Sequence, residues 1–240
     1  HNLGNAWSEK GRGMGTFTKL FKWVLLAISA PVWAIEIPGD DEFPTRTIEV
    51  EPFSFDPGSG TITWGRSGIS EPFHLTVDGM VANPVRMRYA ELRALALTDQ
   101  TSDFHCVEGW TVPQVHWSGV RFEELLKLVK PIGGAEFAVF HSLGATPSAP
   151  AGQSHYIECL SIEDLLDPSQ QILLALDTDG EPLSYDRGAP LRLVTPFRQA
   201  YKAAKFIHRI QFTDRPQPGW WTLANPIYDF DARVPAYRLR

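Results

Sequence analysis

A chain of 240 residues with 43% hydrophobic content has the apolar surface for a substantial core, which excludes both a disordered tail and a disulfide-stapled miniprotein. The formal charge of −6, with no Lys/Arg block anywhere, offers no broad basic face, so no nucleic-acid partner is expected. Two cysteines, Cys106 and Cys159, are too widely separated for a C-x-x-C motif and can form one bridge at most.

Residues 1–13 carry neither periodicity nor apolar content and read as a disordered lead or a truncated upstream region. In "MGTFTKLFKWVLLAISAPVWA" (Met14 to Ala34), Lys19 and Lys22 precede an apolar run that ends in small residues, a pattern similar to a signal peptide. The run from Trp23 to Ile35 is shorter than the roughly 20 residues a spanning helix needs, and Pro31 interrupts it. The competing reading is a packed helix with Phe17, Leu20, Phe21, Val24 and Ile28 on one side. A periplasmic or membrane-associated location is therefore expected ahead of a cytoplasmic one. Ile35 to Gly60 is rich in Pro, Gly and Asp and reads as an extended arm, so the expected division is a lead over 1–60 and one domain over 61–240.

Within that domain, "FHLTVDGMV" alternates Phe73, Leu75 and Val77 before a turn at Asp78-Gly79, which predicts a hairpin strand. "RYAELRALA" and "RFEELLKLV" predict short helices, the second with Phe122, Leu125, Leu126 and Val129 on one face. "FAVFH" predicts a strand. Ser161 with Asp164 predicts a capped helix start, which Pro168 stops, and "QILLAL" and "PLRLV" predict buried strands. Strands and short helices alternate irregularly, so the expected fold class is α+β, with mixed β-sheets and short helices. No dinucleotide or P-loop glycine motif follows any strand.

Chemistry concentrates in two places. In "TSDFHCVEGW", Cys106 sits among His105, Glu108 and Trp110, with His116 and Trp117 close behind. A lone cysteine is more often a small buried hydrophobe, but its ionisable and aromatic neighbours make this one a candidate ligand. Downstream, Arg187, Arg192, Lys202 and Lys205 gather in an otherwise acidic chain, with Arg198 and Arg209 nearby. Such a cluster suits one phosphate, although Arg209 reads first as a surface charge.

The segments C-V-x-x-W (Cys106 to Trp110) and W-x-G-V (Trp117 to Val120) resemble the cysteine loop of the sulfite oxidase family of molybdopterin enzymes. Downstream, Leu173-Leu174-Ala175, Asp179-Gly180-x-Pro182-Leu183, Gly188-x-Pro190-x-Arg192-Leu193, Val194-x-Pro196 and Lys205-Phe206 are similar to that family's cofactor half, in the same order. The resemblance covers roughly Phe73 to Trp221. It implies a sulfite oxidase-like fold, Cys106 as molybdenum ligand, and His105, Arg187, Arg192, Lys202 and Lys205 against the pterin. Arg187 stands where the family usually has histidine, Ala200 replaces a common glycine, and Arg66 is the nearest substitute for an absent Arg-Asn-His motif.

The implied cofactor is a molybdenum–molybdopterin in its mononucleotide-free form. The chain ends soon after "GWWTLANPIYDFDARVPAYRLR", so the expectation is a monomeric single-domain module, resembling the catalytic subunits of bacterial protein-methionine-sulfoxide reductases. The expected reaction is oxygen-atom transfer from S-oxides or similar small or protein-bound donors, with Cys106, Glu108, Tyr156 and Tyr228 at the reacting centre. Sulfite oxidation is the competing direction. A metal-free binding domain and a thiol enzyme using Cys106 with His105 or His116 are the further alternatives. Since no haem or iron–sulfur spacing occurs in the sequence, an external electron-transfer protein, such as a membrane cytochrome, is expected. Cys159 and Met80 read as packing residues.

Overall fold

The computed structural model describes residues 35–36 and 50–239. The signal-like segment 14–34, the lead before it and residues 37–49 of the expected arm lie outside the described residues. Among the described residues no helix is long and apolar enough to cross a membrane.

The elements run in chain order as β1 (Ile35–Glu36), β2 (Phe53–Asp56), β3 (Thr61–Trp64), β4 (Ser70–Pro72), β5 (His74–Gly79), β6 (Val85–Arg88) and α1 (Tyr89–Arg93). They continue with β7 (Leu97–His105), β8 (Trp110–Val120), α2 (Phe122–Val129), β9 (Phe137–Ser142), β10 (Ile157–Ser161) and α3 (Ile162–Leu166). The last are β11 (Leu173–Thr178), β12 (Glu181–Pro182), β13 (Arg192–Val194), β14 (Ile207–Thr213) and α4 (Trp220–Ala224). Short helices on mixed sheets make this the expected α+β class.

Five strands form one sheet in the order β10-β9-β14-β5-β6, in which β14 and β5 run parallel. A second sheet takes the path β1-β8-β11-β12, with β7 added on β8 and β13 on β11. A third, small sheet joins β2, β3 and β4. The main core collects Leu75, Val77, Phe140, Ile210 and Phe212 from the first sheet together with Leu174, Leu176 and Leu193 from the second. Residues α2 presents to that core, Phe122, Leu125 and Val129, are the ones its helical spacing selects. Each such side chain is worth about 1.5–3 kcal/mol when fully buried.

The run "QILLAL" lacks alternation because β11 is buried on both faces. Leu174 and Leu176 face the main core, while Leu173 and Ala175 join Val115, Trp117 and Val194 in a second apolar layer. The capped helix forms as its sequence predicts, with the Ser161 hydroxyl accepting from the Asp164 amide at 3.0 Å.

One boundary differs from expectation. Within the stretch read as an arm, Phe53 of β2 is buried and stacks edge-on against Trp64, Tyr185 and Phe206. Alternation of Phe53 and Phe55 with Ser54 and Asp56 makes this a half-buried strand, so the folded body reaches back at least to Phe53.

Candidate functional site

Cys106 opens the four-residue turn that joins β7 to β8. The Cys106 amide donates to the Trp110 carbonyl at 3.0 Å, and the Gly109 amide donates back to the Cys106 carbonyl at 3.2 Å. Gly109 takes φ +98°, which closes the turn. His105, the last residue of β7, places Nδ1 2.9 Å from Thr111 Oγ1 on the facing strand. Cys106 is buried and forms no disulfide with Cys159. Glu108 places Oε2 4.0 Å from its sulfur and accepts from Trp110 Nε1 at 3.2 Å.

The hairpin touches the basic segment through one residue of each strand. Arg192 stacks its guanidinium over Phe104 at 5.3 Å and Trp117 at 4.9 Å, on the outer apolar layer of the second sheet. Its Nη1 donates to the Arg187 carbonyl at 3.0 Å, and Nη2 has no hydrogen-bond partner among the described residues. No described carboxylate pairs with Arg192. Burial, then the neighbouring Arg187, pushes its pKa down to about 9. Lys205 follows the same logic, with burial and then Arg192 lowering it to about 7 against the opposing pull of Asp186. Burial also lowers Arg187.

Gly188 lets these groups crowd together. A Cβ there would lie 2.8 Å from Lys205 Cγ and 3.2 Å from Arg192 Cβ, at φ +102°. Arg187 depresses Arg192, and both depress Lys205, while no described carboxylate pairs with the wholly buried Arg192. A buried charge of that kind is compatible with a bound anion, because leaving it uncompensated costs several kcal/mol.

Other expected residues are engaged elsewhere. Lys202, expected against the pterin, is fully buried in an ion pair with Glu158 at 2.7 Å and donates to the Cys159 carbonyl at 2.8 Å. Tyr156 donates its hydroxyl to the Tyr201 carbonyl and stacks on Trp220, while Tyr228 packs against Tyr201 and Trp221. Neither makes a described contact with the Cys106 turn. Arg198 is bound to Asp164 at 2.7 Å, and the part-exposed Arg209 pairs with Asp78 at 2.9 Å. Arg66 is exposed.

His116 pairs across the hairpin with Thr101 at 2.8 Å. It lies six strand residues from Trp110, about 20 Å along β8, too far to act as base for Cys106. Two residues with no signal in the sequence belong to the site's surroundings. Arg238 holds the Cys106 turn from behind, and the buried Thr195 hydroxyl, three residues beyond Arg192, has no partner among the described residues.

A hairpin that carries a thiol on its turn and a buried arginine on Phe104 and Trp117, on an α+β scaffold, is compatible with a domain that binds an anionic cofactor. Comparison with known proteins makes this specific: residues 66–221 match the oxidoreductase molybdopterin binding domain, and the chain belongs to that family. Its cofactor is a molybdenum pterin. Over 172 residues it is 34% identical to a protein-methionine-sulfoxide reductase catalytic subunit MsrP of Gluconobacter oxydans, covering 68% of this chain and 54% of the relative. The Ralstonia nicotianae protein of the same name is 31% identical over 68% of this chain and 50% of its own length. The chain thus spans about half the length of these curated relatives.

Among solved structures, the sulfane dehydrogenase SoxCD of Paracoccus pantotrophus matches in fold with a TM-score of 0.52 at 19% identity, over 87% of this chain and 57% of that one. The residues present fit the family's cofactor. An anion compatible with Arg192 and its neighbours is what a pterin phosphate supplies, and Cys106 is a soft ligand of the kind molybdenum takes.

Proposed function

We propose that this chain is a molybdenum-dependent oxidoreductase that removes oxygen from S-oxides, with Cys106 as the protein's ligand to the metal. Arg187, Arg192 and Lys205 hold the phosphate of a pterin that carries no appended nucleotide. Arg192 and Lys205 flank Gly188, and Arg187 precedes it, so three cations near one another support a phosphate contact and the smaller form of the cofactor.

When bound, the molybdenum–pterin group supplies a centre that accepts an oxygen atom and cycles through two electrons. The chain's residues set the conditions around it. Phe104 and Trp117 cover Arg192 and exclude water from the phosphate end. Trp110 holds the Glu108 carboxylate beside the Cys106 sulfur. An S-oxide takes up two electrons and two protons to give a sulfide and water. Glu108 is the group placed to deliver protons there, and a separate electron-transfer protein supplies the electrons.

The observation that carries the direction is Glu108 Oε2 at 4.0 Å from Cys106 Sγ. A carboxylate at the ligand sulfur repels a dianion such as sulfite and tolerates a neutral S-oxide. The reductase activity named for the two curated relatives points the same way.

Protein from a host that makes molybdenum cofactor is expected to contain close to one molybdenum and one pterin per chain, and Cys106→Ala to lose metal-centred turnover. With reduced dye as donor, S-oxide reduction should exceed sulfite oxidation measured with a dye acceptor. Efficient sulfite oxidation without S-oxide reduction reverses the direction. Full activity in Cys106→Ala removes the metal assignment altogether.

A further inference from the structure

We propose that Arg238 is a positioning residue that fixes the Cys106 turn, and that the C-terminal segment 229–239 is a strap tying this turn to the basic segment. The proposal rests on the reading that Cys106 holds the metal. Its physical content is a set of hydrogen bonds at both ends of one short turn.

Arg238 donates from Nη1 to the Cys106 carbonyl at 2.8 Å and from Nη2 to the Trp110 carbonyl at 2.7 Å. Nη2 also reaches Thr111 Oγ1 at 3.1 Å, the hydroxyl that contacts His105 Nδ1. The two carbonyls are those that already close the turn by accepting from Gly109 and Cys106. One planar group therefore spans the first residue of the turn that carries the sulfur and the first residue of β8 beyond it. A guanidinium presents its N–H groups in a fixed fork, which a single ammonium cannot reproduce.

The strap's other end is fastened to the cationic region. Tyr201 donates its hydroxyl to the Asp229 carbonyl at 2.8 Å, and Arg198 donates to the Asp231 carbonyl at 2.5 Å. Backbone bonds link Gln199 to Ala232 at 2.7 Å and Val234 to Phe197 at 3.0 Å. Ala232 and Val234 are buried, so the strap is packed and not merely laid on the surface. A single helical turn, Ala236–Arg238, then aims the guanidinium at the hairpin. These residues follow the span matched to the family, 66–221, so the clasp comes from outside the matched region.

The test uses full-length wild type, Arg238→Lys and Arg238→Met from a host that makes molybdenum cofactor. Amide exchange over 106–111 is expected to rise about tenfold in Arg238→Met, the scale of one lost hydrogen bond, while amides of 173–178 stay as in wild type. Arg238→Lys should fall between the two. The molybdenum(V) electron paramagnetic resonance spectrum should shift in Arg238→Met, because its g-values follow the orientation of the metal–sulfur bond, and kcat should fall with KM unchanged.

Wild-type exchange over 106–111 in both variants, or an unshifted spectrum, overturns the proposal. If Arg238→Met does not fold, Arg238→Lys decides by the same two readouts. If all three proteins lack molybdenum, the functional reading fails, while the exchange data still decide the clasp.

Discussion

Arg192 and Lys202 are both cations with 0% exposure, and only their partners tell them apart. Lys202 has Glu158 at 2.7 Å, whereas Arg192 has aromatic faces, a backbone carbonyl and no described carboxylate. Their substitutions should therefore fail in opposite ways. Lys202→Met leaves Glu158 uncompensated in the interior, and breaking such a pair costs about 3–5 kcal/mol, so its melting temperature should drop sharply. Arg192→Met removes an unpaired charge and should keep the fold while losing pterin. A charged hydrogen bond is worth roughly 1.5–3 kcal/mol, which is about one to two orders of magnitude in affinity. Thermal melts by circular dichroism and fluorimetric pterin content check both arms. A stable Lys202→Met protein stripped of pterin would return Lys202 to the cofactor.

At the scale of elements, the site depends on how closely β8 lies on β11. Gly119 sits in that seam, where an added Cβ would stand 2.2 Å from the Leu174 carbonyl oxygen and 2.6 Å from Ala175 Cα. Backbone cannot step aside as a flexible side chain can, so the glycine of the W-x-G-V segment is a packing requirement. β8 carries the Cys106 hairpin, and β11 carries β13 with Arg192. Gly119→Ala should cost toward the upper end of the about 1–3 kcal/mol typical of overpacking and should also reduce bound pterin. Gly133→Ala is the control, since nothing lies within 4 Å of its Cβ position. Urea midpoints that are equal for the two variants would count against this account of the seam.

Across the whole molecule, acid should destabilise the fold through histidines remote from the Cys106 hairpin. His141, His155, His208 and Arg209 line a cleft of about 450 Å³ beside the five-stranded sheet. His141 and His155 approach to 3.0 Å between ring nitrogens. Burial, then His155 and Arg209, lowers both His141 and His208 to about 4, against roughly 6.5 in an unfolded chain. Between those values the unfolded state binds more protons, so the stability these residues contribute is present above pH 6.5 and is lost as pH falls toward 4. Melting temperature should decline over that window, and the decline should be shallower in the double variant His141→Gln, His208→Gln. Parallel profiles for variant and wild type would assign the acid sensitivity to other groups.

Local patterns carried much of this structure. The stop at Pro168, the Ser161 cap, the amphipathic helix from Phe122 and the two-faced burial of "QILLAL" are each decided by neighbours within a few residues, which is the range periodicity and turn chemistry act over. Cys106 and the Gly188 to Lys205 segment were legible as a pair because their motifs occur in a fixed order. The long hairpin of β7 and β8 was not, since "TSDFHCVEGW" has little alternation and its strands are held by cross-strand pairing and by Arg192. Nor could spacing tell that Lys202 is neutralised by Glu158 or that Phe53 belongs to the core. Arg238 meets Cys106 across 132 residues of sequence. A charge takes its role from the partner that folding brings within about 3 Å, and the tertiary structure alone decides which cation receives a carboxylate, which donates to a turn, and which has no carboxylate among the described residues.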